Sequence, residues 1–234
     1  MNNVYIVRSS ERLRKSGADA EAKALLYMMN YSESRNEIYY YIVDLFNDLT
    51  GMDRNATRLW DLQSKGSRGV GAKAIGKELV TLFKNYMSRL PFEAYILFVG
   101  SISGNVRKFN DKKVFGKENI KDEVLTLMKE GLHEEGERKQ YIKNSWLTNE
   151  NFDEFLSKVT FVVDNDVGQI EYVKEIIKNY PNIIPEDNVL QAIFNEIRDK
   201  ISIKKNANVV EGAEIRQIDD IDNLDYFEVI NDDE

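Results

Sequence analysis

Polar side chains recur at every second position along one predicted strand. In the segment WDLQSK, Asp61, Gln63 and Lys65 project from one face, because successive side chains of a strand alternate between faces. Asp44 and Asp48 lie four residues apart on the preceding predicted strand, so they share a face that the turn would bring beside the first. Carboxylate and amide oxygens are ligands that Mg²⁺ accepts, and a neighbouring lysine can hold or deprotonate an attacking water. These residues predict metal-assisted phosphodiester hydrolysis.

The same alternation also describes an ordinary half-exposed strand. One face of such a strand is normally polar, and Asp61 with Lys65 would then be a charge pair exposed to water. From the residues of this segment alone, both interpretations stay open.

Composition narrows the other chemistry that this chain could carry. Its 234 residues contain no cysteine and one histidine, His133. Disulfides, thiolate zinc sites, iron–sulfur clusters, a cysteine nucleophile and multi-histidine metal sites are therefore excluded, and a Ser/His/Asp triad is disfavoured. A site must be built from carboxylates, amides, lysines and hydroxyls. His133 lies in a predicted polar break between helices and is assigned no role.

The formal net charge of −8 comes from the end of the chain. Residues 211–234 contain ten acidic residues and one arginine, which leaves residues 1–210 close to neutral at +1. A polyanionic partner for the first half of the chain therefore stays open. Three interpretations of the acidic tail stay open. It could be a flexible solvated extension, a DNA-mimicking segment that restrains the site, or a partner-docking peptide with apolar anchors. Docking is slightly favoured over restraint because apolar residues are interspersed among the acids.

Hydrophobic periodicity predicts a mixed α/β chain in which helices flank a small sheet. Helices are predicted over 18–31, 72–89, 119–141, 151–157, 169–179 and 185–200, and strands over 38–49, 57–65, 94–101 and 159–163. The segment 38–49 could also be read as a helix. Three parts are expected: a domain over 1–165, a helical extension over 166–210 and the acidic tail over 211–234.

The spacing of the polar residues resembles a known signature. Asp44-Leu-Phe-Asn47-Asp48-Leu49, followed by Gln63-Ser-Lys65 on the next strand and then by a basic helix, is similar to Glu-x-x-Asp-Asp-Ile/Leu … Gln-x-Lys. That signature belongs to the double-stranded DNA nuclease domain of CD-NTase-associated endonucleases in bacterial antiphage defence. This domain is a branch of the PD-(D/E)XK superfamily. The resemblance covers roughly residues 12–165 and implies a restriction-endonuclease-like central mixed sheet, with the helix 17–31 before the motif and the strand 94–101 after it.

The resemblance implies a role for each matching residue. Asp48 corresponds to the metal-binding aspartate, Gln63 to the residue that replaces the acid of the D/E-x-K pair, and Lys65 to the catalytic lysine. All three are expected to be catalytic, with Mg²⁺ or Mn²⁺ as cofactor. Asp61 is expected to lie beyond the metal, at the surface.

The chain departs from the signature at two positions. Asp44 stands where the family has glutamate, and Asn47 stands where it has the first of two aspartates, which removes anionic ligands. Glu21 on the first helix could supply a further ligand, because acids of that helix do so in parts of the superfamily. The alternative for Glu21 is a solvated helix residue.

A glycine-rich loop, GSRGVGAK over 66–73, connects a predicted strand to a predicted helix. It is not a P-loop, because Ala72 separates the last glycine from Lys73 and Ala74 replaces the magnesium-binding hydroxyl. Arg68, Lys73 and Lys77 are instead expected to contact a DNA backbone. The alternative is that these lysines only solubilise a surface helix.

The sequence therefore predicts a metal-dependent DNA endonuclease in bacterial antiphage defence. The resemblance implies gating by a separate sensor or ATPase subunit, and a homo-oligomer is expected because one site cuts one strand. A cytoplasmic protein with no membrane association is also expected, since MNNVYIVRSSERLRK carries charge where a signal peptide is apolar. Two alternatives remain: a non-catalytic nuclease-like subunit of a defence or phage-encoded complex, and an unrelated acidic interaction protein, which a helix over 38–49 would favour.

Overall fold

Alternating strands and helices make up most of the described chain. The computed structural model describes residues 4–7, 15–30, 33–88, 90–164, 167–178, 184–207, 213–216 and 229–231. The strands are β1 (Val4–Val7), β2 (Tyr40–Val43), β3 (Leu49–Met52), β4 (Leu59–Lys65), β5 (Phe92–Val99), β6 (Val114–Phe115), β7 (Val159–Val163), β8 (Ala213–Arg216) and β9 (Val229–Asn231). The α-helices are α1 (Lys15–Asn30), α2 (Ala72–Glu78), α3 (Val80–Met87), α4 (Asp122–Lys139), α5 (Asn149–Lys158), α6 (Gln169–Ile177) and α7 (Asp187–Ala207).

The main sheet has six strands in the order β2-β3-β4-β5-β7-β6. The strands β2, β3 and β4 pair antiparallel, β4, β5 and β7 pair parallel, and β6 runs antiparallel to β7. A separate antiparallel sheet pairs β1 with β8 and β8 with β9, so one segment of the predicted tail pairs with the start of the chain and a second segment of the tail pairs with the first. The predicted mixed α/β class with a central mixed sheet and flanking helices is confirmed.

Helices cover both faces of β5, which is consequently apolar on both sides over its second half. Along β5, Leu97 and Val99 pack in one core with residues of α2, α3, α4 and α5. Ile96 and Phe98 pack in the opposite core with residues of α1, α6 and α7. The predicted helical extension, α6 and α7, thus contributes Phe194 and other apolar side chains to the core of the preceding segment.

Two predicted elements differ from those observed. The strand predicted over 38–49 is wrong as one element, because β2 and β3 are separated by a turn over 44–48 in which Asp44 has a positive φ of 61°. Aspartate and asparagine favour such turns, so the polar residues inside this apolar run end β2. The helical alternative for this segment is also wrong. The helix predicted over 72–89 consists of α2 and α3, which meet at Leu79.

The helices α2 and α4 lie in direct backbone contact. A Cβ added at Gly76 would lie 1.9 Å from the carbonyl oxygen of Met128, and one at Gly131 would lie 2.0 Å from that of Lys73. Only glycine permits this approach at both positions. It brings the last turn of α4 to the carboxyl end of β4. Within the ranges that the structure describes, no helix has the length and apolar character needed to cross a bilayer.

Candidate active site

A polar cleft lies at the carboxyl end of β4, between α1, α2 and α4. Its volume is about 580 Å³. Its walls include five of the predicted site residues, Glu21, Asp48, Gln63, Lys65 and Lys77, and in addition Gly17, Ala20, Ser64, Gly66, Glu78, Glu135, Arg138 and Lys139. Residues that are distant in sequence therefore meet where the resemblance places a metal and a lysine.

Asp48 is the last residue of the turn before β3, and its carboxylate is bound to β4. Its Oδ2 accepts hydrogen bonds from the Ser64 backbone N–H at 2.8 Å, from the Ser64 hydroxyl at 2.9 Å and from Gln63 Nε2 at 2.9 Å. Hydrogen bonds to a charged acceptor stabilise by roughly 1.5–3 kcal/mol each. These contacts fix the orientation of Asp48 before any substrate binds.

Ser64 occupies the unspecified position between Gln63 and Lys65, so sequence reasoning missed it. It is buried, and its side chain points to the opposite face of β4. It still reaches Asp48, whose Oδ2 lies within hydrogen-bond distance of both the backbone nitrogen and the hydroxyl of Ser64. The only sequence feature that could have indicated this contact is the presence of a hydroxyl residue between Gln63 and Lys65.

Gln63 joins a second polar network through α3. The Thr81 hydroxyl lies 3.3 Å from Gln63 Oε1 and 3.2 Å from Asn47 Oδ1, and Asn47 Nδ2 donates back to Thr81 Oγ1 at 3.0 Å. A hydroxyl carries one proton, so Thr81 donates to one of the two amide oxygens at a time. Nothing in the helical pattern VTLFK distinguishes Thr81 as a site residue.

Asp61 lies on the same face of β4 as Gln63 and Lys65, as predicted, but its predicted surface position is wrong. It is fully buried and accepts a hydrogen bond of 2.5 Å from Asn85 Nδ2. Burial raises the pKa of Asp61 to about 7, an effect that the Asn85 hydrogen bond opposes and the charge of Asp48 increases. The prediction failed because α3 covers this part of the strand.

Lys65 is paired with Glu78, the last residue of α2. The Nζ–Oε1 distance is 2.8 Å, and the lysine side chain keeps 44% of its exposure. An ammonium held beside a carboxylate remains a donor of hydrogen bonds and positive charge. The ammonium group of Lys65 therefore lies at the cleft beside the Glu78 carboxylate.

Glu21 is the deepest acid of the cleft. It is 4% exposed and lies on α1, one turn after Gly17. The reading of Glu21 as a solvated helix residue is therefore wrong. The predicted ligand set also included Asp44, which is in the turn and does not line the cleft. Its predicted strand face, shared with Asp48, is also wrong.

The oxygen donors of the cleft fit a divalent cation by their chemistry. No group of three or more His, Cys, Asp or Glu side chains in the described ranges is placed to hold a metal. Glu21 and Asp48 supply two carboxylates, and the Gln63 amide supplies the third oxygen. In the structure, the amide nitrogen of Gln63, not its oxygen, faces Asp48. Because the Thr81 hydroxyl accepts as well as it donates, it can serve either orientation of that amide.

The charges that line the cleft are balanced. The acids are Glu21, Asp48, Glu78 and Glu135, and the bases are Lys65, Lys77, Arg138 and Lys139. Arg138 pairs with Glu135, and its hydrogen bond lowers the pKa of that glutamate. Sequence reasoning missed Arg138 and Lys139, which belong to the last turn of α4, where basic residues are commonly found.

The three predicted DNA contacts are only partly brought together. Lys73 and Lys77 both pair with Glu134 of α4, at 2.5 Å and 3.2 Å, and only Lys77 lines the cleft. The hydrogen bond with Glu134 raises the pKa of Lys73 and lowers that of Glu134. Arg68 is exposed in the glycine-rich loop outside the cleft. His133 lies within α4 rather than in a break between helices.

Comparison with known proteins adds no relative from which a role could be transferred. No protein-family model, no curated protein and no solved structure matches this chain.

Proposed function

We propose that this protein is a metal-dependent nuclease that hydrolyses phosphodiester bonds of DNA. The observation that carries the proposal is the convergence of Glu21, Asp48, Gln63 and Lys65 on one cleft, from α1, the 44–48 turn and β4. Asp48, Gln63 and Lys65 were selected from their spacing together with the resemblance, and Glu21 from the resemblance, before any of their positions in the fold were known. Ordinary surface polarity gives no reason for side chains from three elements to meet in this way.

The order of the elements supports a restriction-endonuclease-like core. A helix precedes the motif, three antiparallel strands follow, two helices come next, and β5 then pairs parallel to β4. The resemblance implied a helix before the motif and a core strand after it. The helix α1 and the strand β5 occupy those positions.

The proposed mechanism assigns one task to each residue. Asp48, Glu21 and the Gln63 oxygen would hold Mg²⁺ or Mn²⁺, which when bound supplies Lewis acidity at the phosphate and a more acidic water. Ser64 holds the Asp48 carboxylate in place. Lys65 donates hydrogen bonds to the attacking water or to a phosphate oxygen and stabilises the charge that develops there.

The charge balance of the cleft also agrees with a bound cation. Four carboxylates and four basic side chains leave the cleft without a net charge to attract a phosphodiester. A divalent cation would make the same walls net positive. Substrate affinity is therefore expected to depend on the metal, in addition to the chemical step.

The alternative is a nuclease-like subunit without catalysis. The hydrogen bond from Gln63 to Asp48 and the Thr81 contacts of Asn47 form a network that needs no metal. In that case neither Mg²⁺ nor Mn²⁺ would stabilise the protein. The defence context, a sensor or ATPase partner and self-association are proposals that rest on the resemblance.

DNA cleavage by the full chain tests the proposal. Plasmid and linear DNA are incubated in Mg²⁺, Mn²⁺ or EDTA with wild type, Asp48→Ala, Lys65→Ala and the matched control Lys158→Ala. Like Lys65, Lys158 pairs with a glutamate, but it lies outside the cleft. Metal-dependent cleavage that only the first two substitutions abolish is expected.

A second readout covers a nuclease that is silent without its partner. Mn²⁺-induced stabilisation in thermal unfolding is expected in wild type and Lys158→Ala and is expected to be absent in Asp48→Ala. If wild type shows neither cleavage nor stabilisation by metal, the nuclease proposal is wrong and the non-catalytic alternative is favoured.

A further inference from the structure

We infer that the loop between β5 and β6 is a stacking platform for a single strand of DNA. The loop presents Phe109, whose side chain is 58% exposed, among Lys108, Lys112 and Lys113. A large aromatic side chain in water costs solvation free energy, and exposed aromatics beside cations are a feature of single-strand binding surfaces. None of these residues lines the cleft of the proposed nuclease site.

Phe109 is held in position by a buried amide. Asn119 is 1% exposed, its Oδ1 accepts from the Phe109 backbone N–H at 2.7 Å, and its Nδ2 donates to the Phe109 carbonyl at 2.8 Å. The backbone of Lys108 also donates to the Asn119 carbonyl at 2.8 Å. The backbone of Phe109 is therefore held in place by the buried Asn119 side chain. This reduces the conformational entropy that is lost when a base stacks on the Phe109 ring.

The base of the loop is also rigid. Arg107 is 5% exposed, donates from Nη1 to the Lys112 carbonyl at 3.2 Å, and lies 5.8 Å from the ring centroid of Phe115. Phe115 in turn stacks on Phe161, with ring centroids 5.5 Å apart and an interplanar angle of 13°. The loop is thus built on the core of the sheet.

The charge of the loop suits a polyanion. Residues 105–113 of the loop contain four basic residues and one acid, in a chain whose net charge is −8. Lys112 Nζ lies 5.7 Å from the centroid of the Phe109 ring, so a base stacked there would bring its phosphate towards an ammonium group. One of the loop lysines, Lys108, has an exposed partner, Asp122. Such surface pairs are weak, so they do not prevent Lys108 from binding phosphate.

The loop and the cleft both lie at the carboxyl end of the parallel strands. The Lys113 carbonyl accepts from Val163 N at the carboxyl end of β7, and the Lys65 carbonyl accepts from Gly100 N at the carboxyl end of β4. Since neighbouring strands are ~4.8 Å apart, β6 lies roughly 14 Å from β4. A single strand of DNA that leaves the cleft along the carboxyl ends of the β-strands would reach the platform within a few nucleotides. This part of the inference, which names the substrate as single-stranded, rests on the proposed nuclease function.

Binding in EDTA tests the platform without any cleavage. Fluorescence anisotropy of a labelled oligothymidine of twenty nucleotides is measured with wild type, Phe109→Ala and the conservative Phe109→Tyr, and a duplex of the same length is measured for comparison. Wild type is expected to bind the single strand more tightly than the duplex. Phe109→Ala is expected to weaken binding by roughly 5- to 100-fold, the range for loss of one stacked base, and Phe109→Tyr to retain it.

Tyr39 offers a matched control beside β2, the outermost strand on the side of the sheet away from β6. It is 57% exposed and also carries a cation, with Arg54 Cζ 5.4 Å from the ring centroid. Tyr39→Ala is expected to bind as wild type does. The double substitution of Lys112 and Lys113 by alanine is expected to reduce the slope of log affinity against log salt by about 1.4, whereas Phe109→Ala leaves that slope unchanged.

Three results would overturn the platform: wild type fails to bind the single strand or prefers the duplex, Phe109→Ala binds as wild type does, or Tyr39→Ala weakens binding as much. Loss of binding in Phe109→Ala without metal-dependent cleavage by wild type would support the platform and count against the nuclease. Metal-dependent cleavage with unchanged binding in Phe109→Ala would do the reverse.

Discussion

Asp48 and Asp61 are two carboxylates near the same strand in opposite surroundings. Asp48 lines the cleft and accepts three hydrogen bonds at one oxygen, whereas Asp61 is fully buried beneath α3 with an amide donor. Burial raises the pKa of Asp61 to about 7. A buried carboxyl that titrates near neutrality suits an internal polar network, while a hydrogen-bonded carboxylate at a cleft suits a cation. Their surroundings therefore distinguish the two residues, although the sequence pattern groups them.

Exchanging each carboxylate for its isosteric amide separates the two roles most strongly. Asp48→Asn is expected to reduce metal-dependent cleavage by on the order of 100-fold or more, because it removes an anionic ligand of the metal that stabilises the transition state. Asp61→Asn is expected to cleave within a few-fold of wild type. Cleavage rates at saturating Mg²⁺ measure both, and an equal loss in the two variants would contradict the assigned roles.

The pH dependence of stability sharpens the comparison. Between about pH 4 and pH 7, the folded protein keeps a proton on Asp61 that the unfolded chain has released, so the free energy of unfolding falls as the pH rises through that window. The loss over the whole window is roughly 4 kcal/mol at most, of which roughly 3 kcal/mol falls above pH 5. Asp61→Asn should remove this loss, and urea unfolding at pH 5 and pH 8 measures the part above pH 5.

Asp53 provides the control with the opposite sign. Hydrogen bonds from the backbone of Arg58 and from Thr57 lower the pKa of Asp53. Its stabilisation is therefore present above the unfolded-state pKa and is lost as the pH falls below it. Asp53→Asn should destabilise the protein at pH 7 and leave the loss between pH 5 and pH 8 unchanged. If Asp61→Asn also leaves that loss unchanged, Asp61 is ionised in the folded protein.

Replacing the amide beside Asp48 by an acid probes the metal directly. Gln63→Glu puts two carboxylates in contact, so the metal-free protein should unfold at a lower temperature. Bound Mn²⁺ should reverse this effect, with an affinity roughly tenfold above that of wild type, since one more anionic ligand is present. Thermal unfolding with and without Mn²⁺ measures both effects.

A matched control is Gln191→Glu, at a partly buried glutamine that donates to Gln169 away from the cleft. It should show no gain of stability from Mn²⁺ beyond that of wild type. Destabilisation of Gln63→Glu that Mn²⁺ does not relieve would argue against a cation between residues 48 and 63.

The smallest effect is expected at Thr81. Thr81→Val keeps the shape of the side chain but removes the hydroxyl that Gln63 and Asn47 share. The Gln63 amide would lose its hydrogen bond to α3 and would be held less firmly, so Mn²⁺ affinity should fall by roughly 5- to 10-fold, within the range for one hydrogen bond. Thr81→Ser should retain the affinity of wild type, and a Thr81→Val protein with unchanged affinity would remove Thr81 from the account.

The sequence was sufficient where local pattern determines structure. The two-residue alternation placed Asp61, Gln63 and Lys65 on one face of β4, and their partners, Asn85, Thr81 and Glu78, all belong to α2 and α3. Helical periodicity predicted α1, and with it the position of Glu21. The strand over 159–163 was predicted with the observed bounds.

Tertiary contacts determine what the sequence could not show. No local signal says that α3 covers Asp61, that α4 reaches the cleft through Gly76 and Gly131, or that Ser64 contacts Asp48. The turn over 44–48 was missed because the apolar residues on both sides of it read as one strand. Its aspartates and asparagine are turn residues, and they were assigned to chemistry alone.

Metal binding measured by calorimetry tests the central claim most directly. Mn²⁺ and Mg²⁺ are titrated into wild type, Asp48→Asn and Asp61→Asn at pH 7. We predict binding at one site in wild type and in Asp61→Asn, and none at that site in Asp48→Asn. A wild type that binds neither ion, or an Asp48→Asn protein that binds as wild type does, would contradict the account.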